Sequence, residues 1–209
     1  MAVYHNGMKG PRRPPGGKDT LNGAFLGPEL SEQVTREYLE LRKYPYTEVP
    51  EDELPDKIAG LIDGANVVGL FQGRMEFGPR ALGGRSILGD PRSREMQSIM
   101  NLKIKYREGF RPFAPSCLEE RVSKYFELDR PSPYMLLVAP VCEEHRLDAD
   151  GDEEELEDVV EWVKRVRSTI PAITHVDYSA RVQTVGAEMN PRYHAIIQAF
   201  ERKTGVVLG

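Results

Sequence analysis

Helix-like and strand-like hydrophobic periods alternate along this chain of 209 residues, with no internal repeat. That alternation restricts the fold more than any other feature, because strands separated by helices build layers, and the expected class is α/β. Ser31 is placed to N-cap a helix with Val34, Tyr38 and Leu41 on one face. Pro45 and Pro50 interrupt the chain beyond that helix. A second helix is predicted from Pro55 to Asp63, with Leu54, Ile58, Leu61 and Ile62 apolar and Gly64 as its stop. Val67 to Phe71 is a short continuous apolar run, predicted as a buried strand. Arg94 to Asn101 reads as helix, with Met96, Ile99 and Met100 inward. Tyr134 to Val141 is the strongest strand signal of the second half. Leu156, Val159, Val160, Val163 and Val166 recur at helical spacing before Pro171. Residues 173–185 suggest extended structure around a turn at Tyr178 and Ser179. Asn190 and Pro191 open a last helix with Tyr193, Ile196, Ile197 and Phe200 on one face, ended by Gly205. Val206 to Leu208 reads as a short strand.

The length fits one large domain or one domain with appendages, and 40% hydrophobic content is enough for a core. The chain starts MAVYHNGMKGPRRPP, with no apolar segment behind its positive charges, so it does not read as a secretory signal. Residues 1–23, rich in Pro and Gly, are expected to be a disordered tail or linker, and residues 24–209 a domain. No apolar run approaches the roughly 20 residues that cross a bilayer, and a cytoplasmic protein is expected. Cys117 and Cys142 are far apart and lie in no CxxC or Cys/His cluster, so buried free thiols are expected, and no metal site. Glu143 to Glu161 carries eleven Asp/Glu against one Arg. Its start, LDADGDEEE, is expected to be a mobile, solvated loop without a site, since the acidic positions do not follow the EF-hand spacing.

Against this acidic background, the segment from Phe71 to Pro115 stands apart. Between Arg74 and Arg111 there are nine Lys/Arg and four Asp/Glu, a local charge of +5 in a chain of net −5. Guanidinium groups bind phosphate and carboxylate through paired, planar hydrogen bonds, and glycines let backbone N–H groups approach the same oxygens. Gly73, Gly78, Gly83, Gly84 and Gly89 punctuate the stretch. It carries neither a GxxxxGK[ST] phosphate loop nor a GxGxxG dinucleotide fingerprint. Arg74, Arg80 and Arg85 are spaced by turns, with Ser86 as a short hydroxyl donor. Lys103, Lys105, Arg107 and Arg111 form a second set. Lys105 and Arg107 would point to one side of an extended segment. Arg92 and Arg94 flank a helix start and are expected to face water. The expectation is one concave anion site holding Arg80, Arg85, Lys105, Arg107 and Arg111.

Other candidates carry less. His175 and Asp177 are two apart, and Arg181 and Gln183 alternate behind them, with Arg181 the better anion ligand. His5, His145 and His194 have no evident partners in sequence. A GxSxG elbow and a Cys/His nucleophile arrangement are both missing, so any chemistry rests on positioning and charge stabilisation. Net −5 argues against a general nucleic-acid binder.

The blocks GRMEFGPRALGGRSILGDPR, NLKIKYREGFRPFAP, PYML, THVDYSARVQTV and AFERKTGV resemble, in order, the C-terminal region of O-carbamoyltransferases of the NodU/TobZ type, across residues 21–208. The resemblance implies a YrdC-like twisted sheet flanked by helices. It implies binding of carbamoyl phosphate and ATP, with Mg²⁺ as companion, to form carbamoyl adenylate. An N-terminal domain holding the family's metal would then pass the carbamoyl group to a hydroxyl acceptor. Lys105 and Arg107 match the Lys/Arg signature of YrdC-like nucleotide sites, and Arg80, Arg85 and Ser86 fall in the phosphate motif. Lys103, Arg111 and Arg181 are added as substrate-binding residues from the reading of the charges. The family pattern continues past TGV to an Asn-Thr-Ser-Phe-Asn motif, whereas this sequence closes on VVLG, so a fragment with little activity of its own is expected. Two further readings remain open: a non-catalytic nucleotide- or anion-binding module, and an RNA-binding YrdC-like domain.

Overall fold

A computed structural model describes residues 7–9, 21–147, 162–163 and 165–209. The expected tail at 1–23 and the acidic loop lie largely outside these residues, as does most of the helix read from Leu156. Among the described residues the α helices are α1 (Glu32–Arg42), α2 (Leu54–Asp63), α3 (Arg94–Ile99), α4 (Val122–Tyr125) and α5 (Pro191–Thr204). The strands are β1 (Val68–Phe71), β2 (Arg85–Leu88), β3 (Ser116–Leu118), β4 (Leu137–Pro140) and β5 (Ser179–Val185). The α/β content agrees with the alternating signals. The strands pair as two small sheets: an antiparallel β1–β2 ribbon, and a β3–β5–β4 sheet with β5 central, parallel to β3 and antiparallel to β4.

The helix ends obey local chemistry. Ser31 Oγ accepts from Val34 N (3.2 Å), and Lys43 closes α1 in the left-handed region. Asn190 Oδ1 accepts from Tyr193 N, Pro191 opens α5, and Gly205 ends it at φ 79°. α5 buries Tyr193, Ile196, Ile197, Ala199 and Phe200. It packs against Ile58, Ala59 and Ile62 of α2, in a core shared with Leu70, Leu88, Leu118 and Val185. A second core gathers Met96, Met100, Phe113, Phe126, Val141, Ile170, Ile173 and Val182 on the other side of the larger sheet.

The last residues join the two sheets. Gly89, just past β2, exchanges backbone hydrogen bonds with Gly209 (2.9 and 3.2 Å), and Ser116 of β3 exchanges them with Leu208 (2.8 and 3.1 Å). The strand expected at 206–208 is therefore a single bridge between sheets.

Several local expectations are corrected. The β1 run is not buried: the ribbon turns Leu70 inward and leaves Phe71 60% exposed, as period-2 alternation requires. Ile99 is exposed while Met96 and Met100 are buried. The second-half strand is Leu137–Pro140, shorter than read, and residues 171–178 form a 3-10 turn and a tight turn before β5. The helical face of Val34, Tyr38 and Leu41 exists, but all three are exposed. Cys117 is buried, whereas Cys142 is only partly so.

Candidate anion-binding site

The loop between β1 and β2 is shaped by one carboxylate. Glu76 Oε1 accepts from the backbone N–H groups of Leu82 (2.7 Å), Gly84 (2.7 Å) and Arg85 (3.2 Å). Burial opposes ionisation of Glu76, but these amides outweigh it and hold the carboxyl below its usual pKa. A side chain at Gly84 has no room, since a Cβ there would lie 2.9 Å from Arg74 O and 3.0 Å from Glu76 Oε2. Gly83 adopts φ +107°, where a Cβ would fall 2.3 Å from the Tyr193 ring. Ser86 Oγ accepts from Gly83 N (2.9 Å), and Gln72 Nε2 donates to Gly83 O (2.7 Å). Arg80 rides on this loop.

The second arm begins where α3 widens into one π-helical turn, Met100–Ile104. Such turns insert a residue into the helical ladder and often mark functional sites. The chain then turns sharply, with Tyr106 at φ 48°. Lys105 and Arg107 therefore do not belong to an extended segment. Asn101 is fully buried, and its Oδ1 accepts from Arg107 Nε at 2.6 Å. The Lys105 ammonium lies 4.9 Å and the Arg107 guanidinium 5.6 Å from the centre of the Phe113 ring.

The floor comes from the larger sheet. Gln183 of β5 accepts from Ser116 Oγ (2.8 Å) and donates to Leu82 O (2.9 Å), so its amide ties β3 and β5 to the Glu76-braced loop. Arg181, two residues earlier, is the exposed residue of β5. The turn entering β5 is fastened by Ser179, which donates from N and Oγ to Asp177 Oδ1 (3.1 and 2.6 Å), while His175 Nδ1 lies 2.9 Å from Ser179 Oγ. His175 and Asp177 thus hold a turn. His145 stacks on Tyr125, and His194 Nε2 lies 3.0 Å from Glu120 Oε1.

These parts enclose a cleft of about 220 Å³ lined by Arg80, Ser86, Lys105, Arg107, Arg181, Ser116, Gln183 and Tyr193, among others, with no Asp or Glu among the described residues of the lining. None of its four cations makes an ion pair among the described residues. Desolvation, then the charges of Arg107 and Arg181, lowers the Lys105 pKa. Desolvation, then Arg80 and Arg107, lowers that of Arg181. Among the described residues, Arg80 Nε is buried without a hydrogen-bond partner, as are Arg85 Nε and Tyr134 Oη, but only Arg80 of these three lines the cleft. A cluster of mutually repelling donors with an orphan N–H is complementary to a polyanion.

Three residues expected at the site lie elsewhere. Arg85 neighbours Ser86 on β2, so the pleat sends the two side chains to opposite faces. Arg85 donates to the carbonyls of Gln72 (2.7 Å), Gly84 (2.8 Å) and Gly73 (3.1 Å), and its guanidinium lies 3.4 Å from the centre of the Phe71 ring. Arg111 pairs with Glu108 at 2.8 Å and is exposed. Lys103 is exposed on the π-helical turn and does not line the cleft. Arg92 does not simply face water: it binds Asp90 (2.6 Å) and Asp63 (2.7 Å). Glu76, Asn101 and Gln183 shape the site and carry no strong sequence signal, since each acts mainly on backbone of another segment. Two larger clefts, beside α1 and beside α4, mix acidic and basic side chains and lack this concentration of charge.

Among the described residues there is no group of three His, Cys, Asp or Glu able to hold a metal, and no helix long and apolar enough to cross a membrane. Residues 59–208 match the family described as carbamoyltransferase C-terminus. An uncharacterized protein of Synechocystis is 52% identical over 98% of this chain and 33% of its own length. The nodulation protein NolO of Bradyrhizobium diazoefficiens is 38% identical over 92% of this chain and 32% of its own length. The 3'-hydroxymethylcephem-O-carbamoyltransferase of Amycolatopsis lactamdurans is 39% identical over 72% of this chain and 24% of its own length. The chain thus spans between about a quarter and a third of these relatives.

Proposed function

This chain belongs to the carbamoyltransferase C-terminal family, and from that premise we propose that its cationic cleft binds carbamoyl phosphate and the phosphate chain of ATP to form carbamoyl adenylate. One observation carries the reading: Arg80, Lys105, Arg107 and Arg181 surround one cleft, with no carboxylate among the described residues of its lining. Hydrolysis of carbamoyl phosphate gives carbamate and inorganic phosphate. A carbamate oxygen then attacks the α-phosphorus of ATP, a new P–O bond forms, and the bond to the β-phosphate breaks with its electron pair leaving on pyrophosphate. Negative charge grows on the phosphoryl oxygens and on the departing pyrophosphate. Lys105 and Arg107 stabilise that charge, and Arg80, Arg181 and Ser86 hold the phosphates. The lining offers no carboxylate to Mg²⁺, so the residues present do not build a protein site for that ion, and no step is assigned to it. The carbamoyl group is handed to a hydroxyl acceptor by an N-terminal carbamoyltransferase domain. The reaction takes place in the cytoplasm, which supplies ATP.

Calorimetric titration with ATP and with carbamoyl phosphate, beside an assay for pyrophosphate release, tests the reading. Binding should saturate, weaken with salt, and fall about ten- to a hundred-fold in Arg107→Ala, the worth of one charge-assisted hydrogen bond. No binding of either compound at millimolar concentration refutes it. Binding without pyrophosphate release assigns a non-catalytic anion module instead. Preference for tRNA over ATP at physiological salt assigns an RNA-binding domain.

A further inference from the structure

We propose that Asn101 is a positioning residue that holds Arg107 in the geometry that receives an anion; the inference rests on the cleft being an anion site. Asn101 is fully buried, and both ends of its carboxamide are used. Its Oδ1 accepts from Arg107 Nε (2.6 Å), and its Nδ2 donates to Arg111 O (2.8 Å) and Gly109 O (3.2 Å). Its main-chain carbonyl also accepts from Arg107 N (3.0 Å). Through its side chain Asn101 ties residues 107, 109 and 111 back to the π-helical turn that follows α3.

The chemistry of that contact selects the amide. Aspartate lacks the two donors and would set a carboxylate against two carbonyl oxygens. Serine is too short to reach both sides, and leucine satisfies neither. Arg107 needs such a tether, because burial first, and then the nearby charge of Arg111 that Glu108 partly offsets, disfavour its guanidinium in the folded state. A free side chain would relieve that repulsion by turning toward water. Asn101 binds the guanidinium at Nε, while neither terminal nitrogen of Arg107 has a hydrogen-bond partner among the described residues. Those two nitrogens form the fork that pairs with phosphate oxygens. The tether so converts a mobile charge into an oriented one, which lowers the ordering cost of binding.

The test is a double-mutant cycle read with inorganic pyrophosphate. Parent, Asn101→Ala, Arg107→Ala and the double variant are titrated calorimetrically, and each is checked for folding by its melting curve. Arg107→Ala should bind about ten-fold more weakly or worse. Asn101→Ala should show a comparable loss in the parent but less than about two-fold further loss in the Arg107→Ala background. Equal losses in both backgrounds overturn the proposal, since Asn101 would then act on stability or on another group. If Asn101→Ala does not fold, Asn101→Leu, which fills the space and satisfies neither side, enters the same cycle with the same criterion. A ligand-free readout separates the tether from the anion site it serves. The Arg107 Nε–H resonance should exchange slowly in the parent and rapidly once Asn101 is replaced. A rapidly exchanging Nε–H in the parent overturns the positioning role. A slow one in a parent that fails to bind pyrophosphate counts against the anion site and leaves the tether standing.

Discussion

Replacing Glu76 by alanine should loosen the loop that carries Arg80, and its hydrogen bonds set the size of the effect. One carboxylate oxygen receives three backbone N–H groups, two of them at 2.7 Å. Leu82 and Gly84 are buried, so their amides lose their partner without ready access to water. An orphaned buried donor costs about 1–3 kcal/mol, and partial entry of water around the half-exposed Glu76 reduces the sum. Glu76→Ala is therefore expected to destabilise the fold by about 2–4 kcal/mol. Glu76→Gln keeps a neutral acceptor in place and should cost about 1 kcal/mol. Urea unfolding gives both values, and hydrogen exchange at the Leu82 and Gly84 amides localises them. The pH dependence has a fixed sign. The Glu76 pKa is lower in the folded chain than its ordinary 4.5. Its contribution is thus complete above that ordinary value and is lost as pH falls through the folded pKa. Glu76→Gln should remove this part of the acid sensitivity. Unchanged exchange at Leu82 and Gly84 in Glu76→Ala, or equal losses in the alanine and glutamine variants, would refute the carboxylate as the brace.

Gly83→Ala should destabilise by about 2–4 kcal/mol, through a strained positive φ and the collision with Tyr193, and denaturant titration will show it. Lys105 has a lowered folded pKa, so its charge penalises the ligand-free fold at low pH, and that penalty is relieved as pH rises through the folded value. Pyrophosphate favours the protonated amine, so its binding should weaken over the same rise, with proton uptake visible in buffers of different ionisation enthalpy, and Lys105→Met should abolish this uptake. Arg181→Gln should raise the melting temperature of the ligand-free protein while shrinking the further rise produced by pyrophosphate.

Much of the fold was legible because its signals are local. Ser31, Asn190, Pro191 and Gly205 are read from one turn of chain, and the structure uses them as caps. The period of α5 shows which face is buried, since that face is dense in large apolar groups. The same period on α1 gives a face and not a partner: Val34, Tyr38 and Leu41 lie on one side and remain exposed. At the cleft, charge density pointed to the segment that supplies Arg80, Lys105 and Arg107, but not to which arginines converge. Arg80 and Arg85 look alike between glycines in sequence. The difference is that Arg85 begins β2, where the pleat and three carbonyls hold it on the face opposite Ser86. That separation could have been read from the adjacency of Arg85 and Ser86, once 85–88 was taken as a strand. Glu76 and Asn101 could not, because their partners are backbone groups across turns whose shape exists only in the folded chain.

On the proposed reading, the cleft sets anion binding against stability. Four cations share it, burial lowers the pKa of Lys105, Arg107 and Arg181, and no carboxylate among the described residues of the lining offsets the repulsion among them. A surface that served stability alone would place an acid among them. The chain instead uses its polar side chains on backbone: Glu76 on the Arg80 loop, Asn101 on the Arg107 turn, and Gln183 between sheet and loop. Each brace neutralises peptide groups and leaves the cationic charge of the cleft intact. Repulsion that braced loops cannot relieve by spreading apart is available to an incoming anion, which gains attraction and removes the penalty in one step. The arrangement therefore explains why Arg181→Gln should stabilise the empty protein, while any loss of a brace should weaken both the fold and the affinity for pyrophosphate.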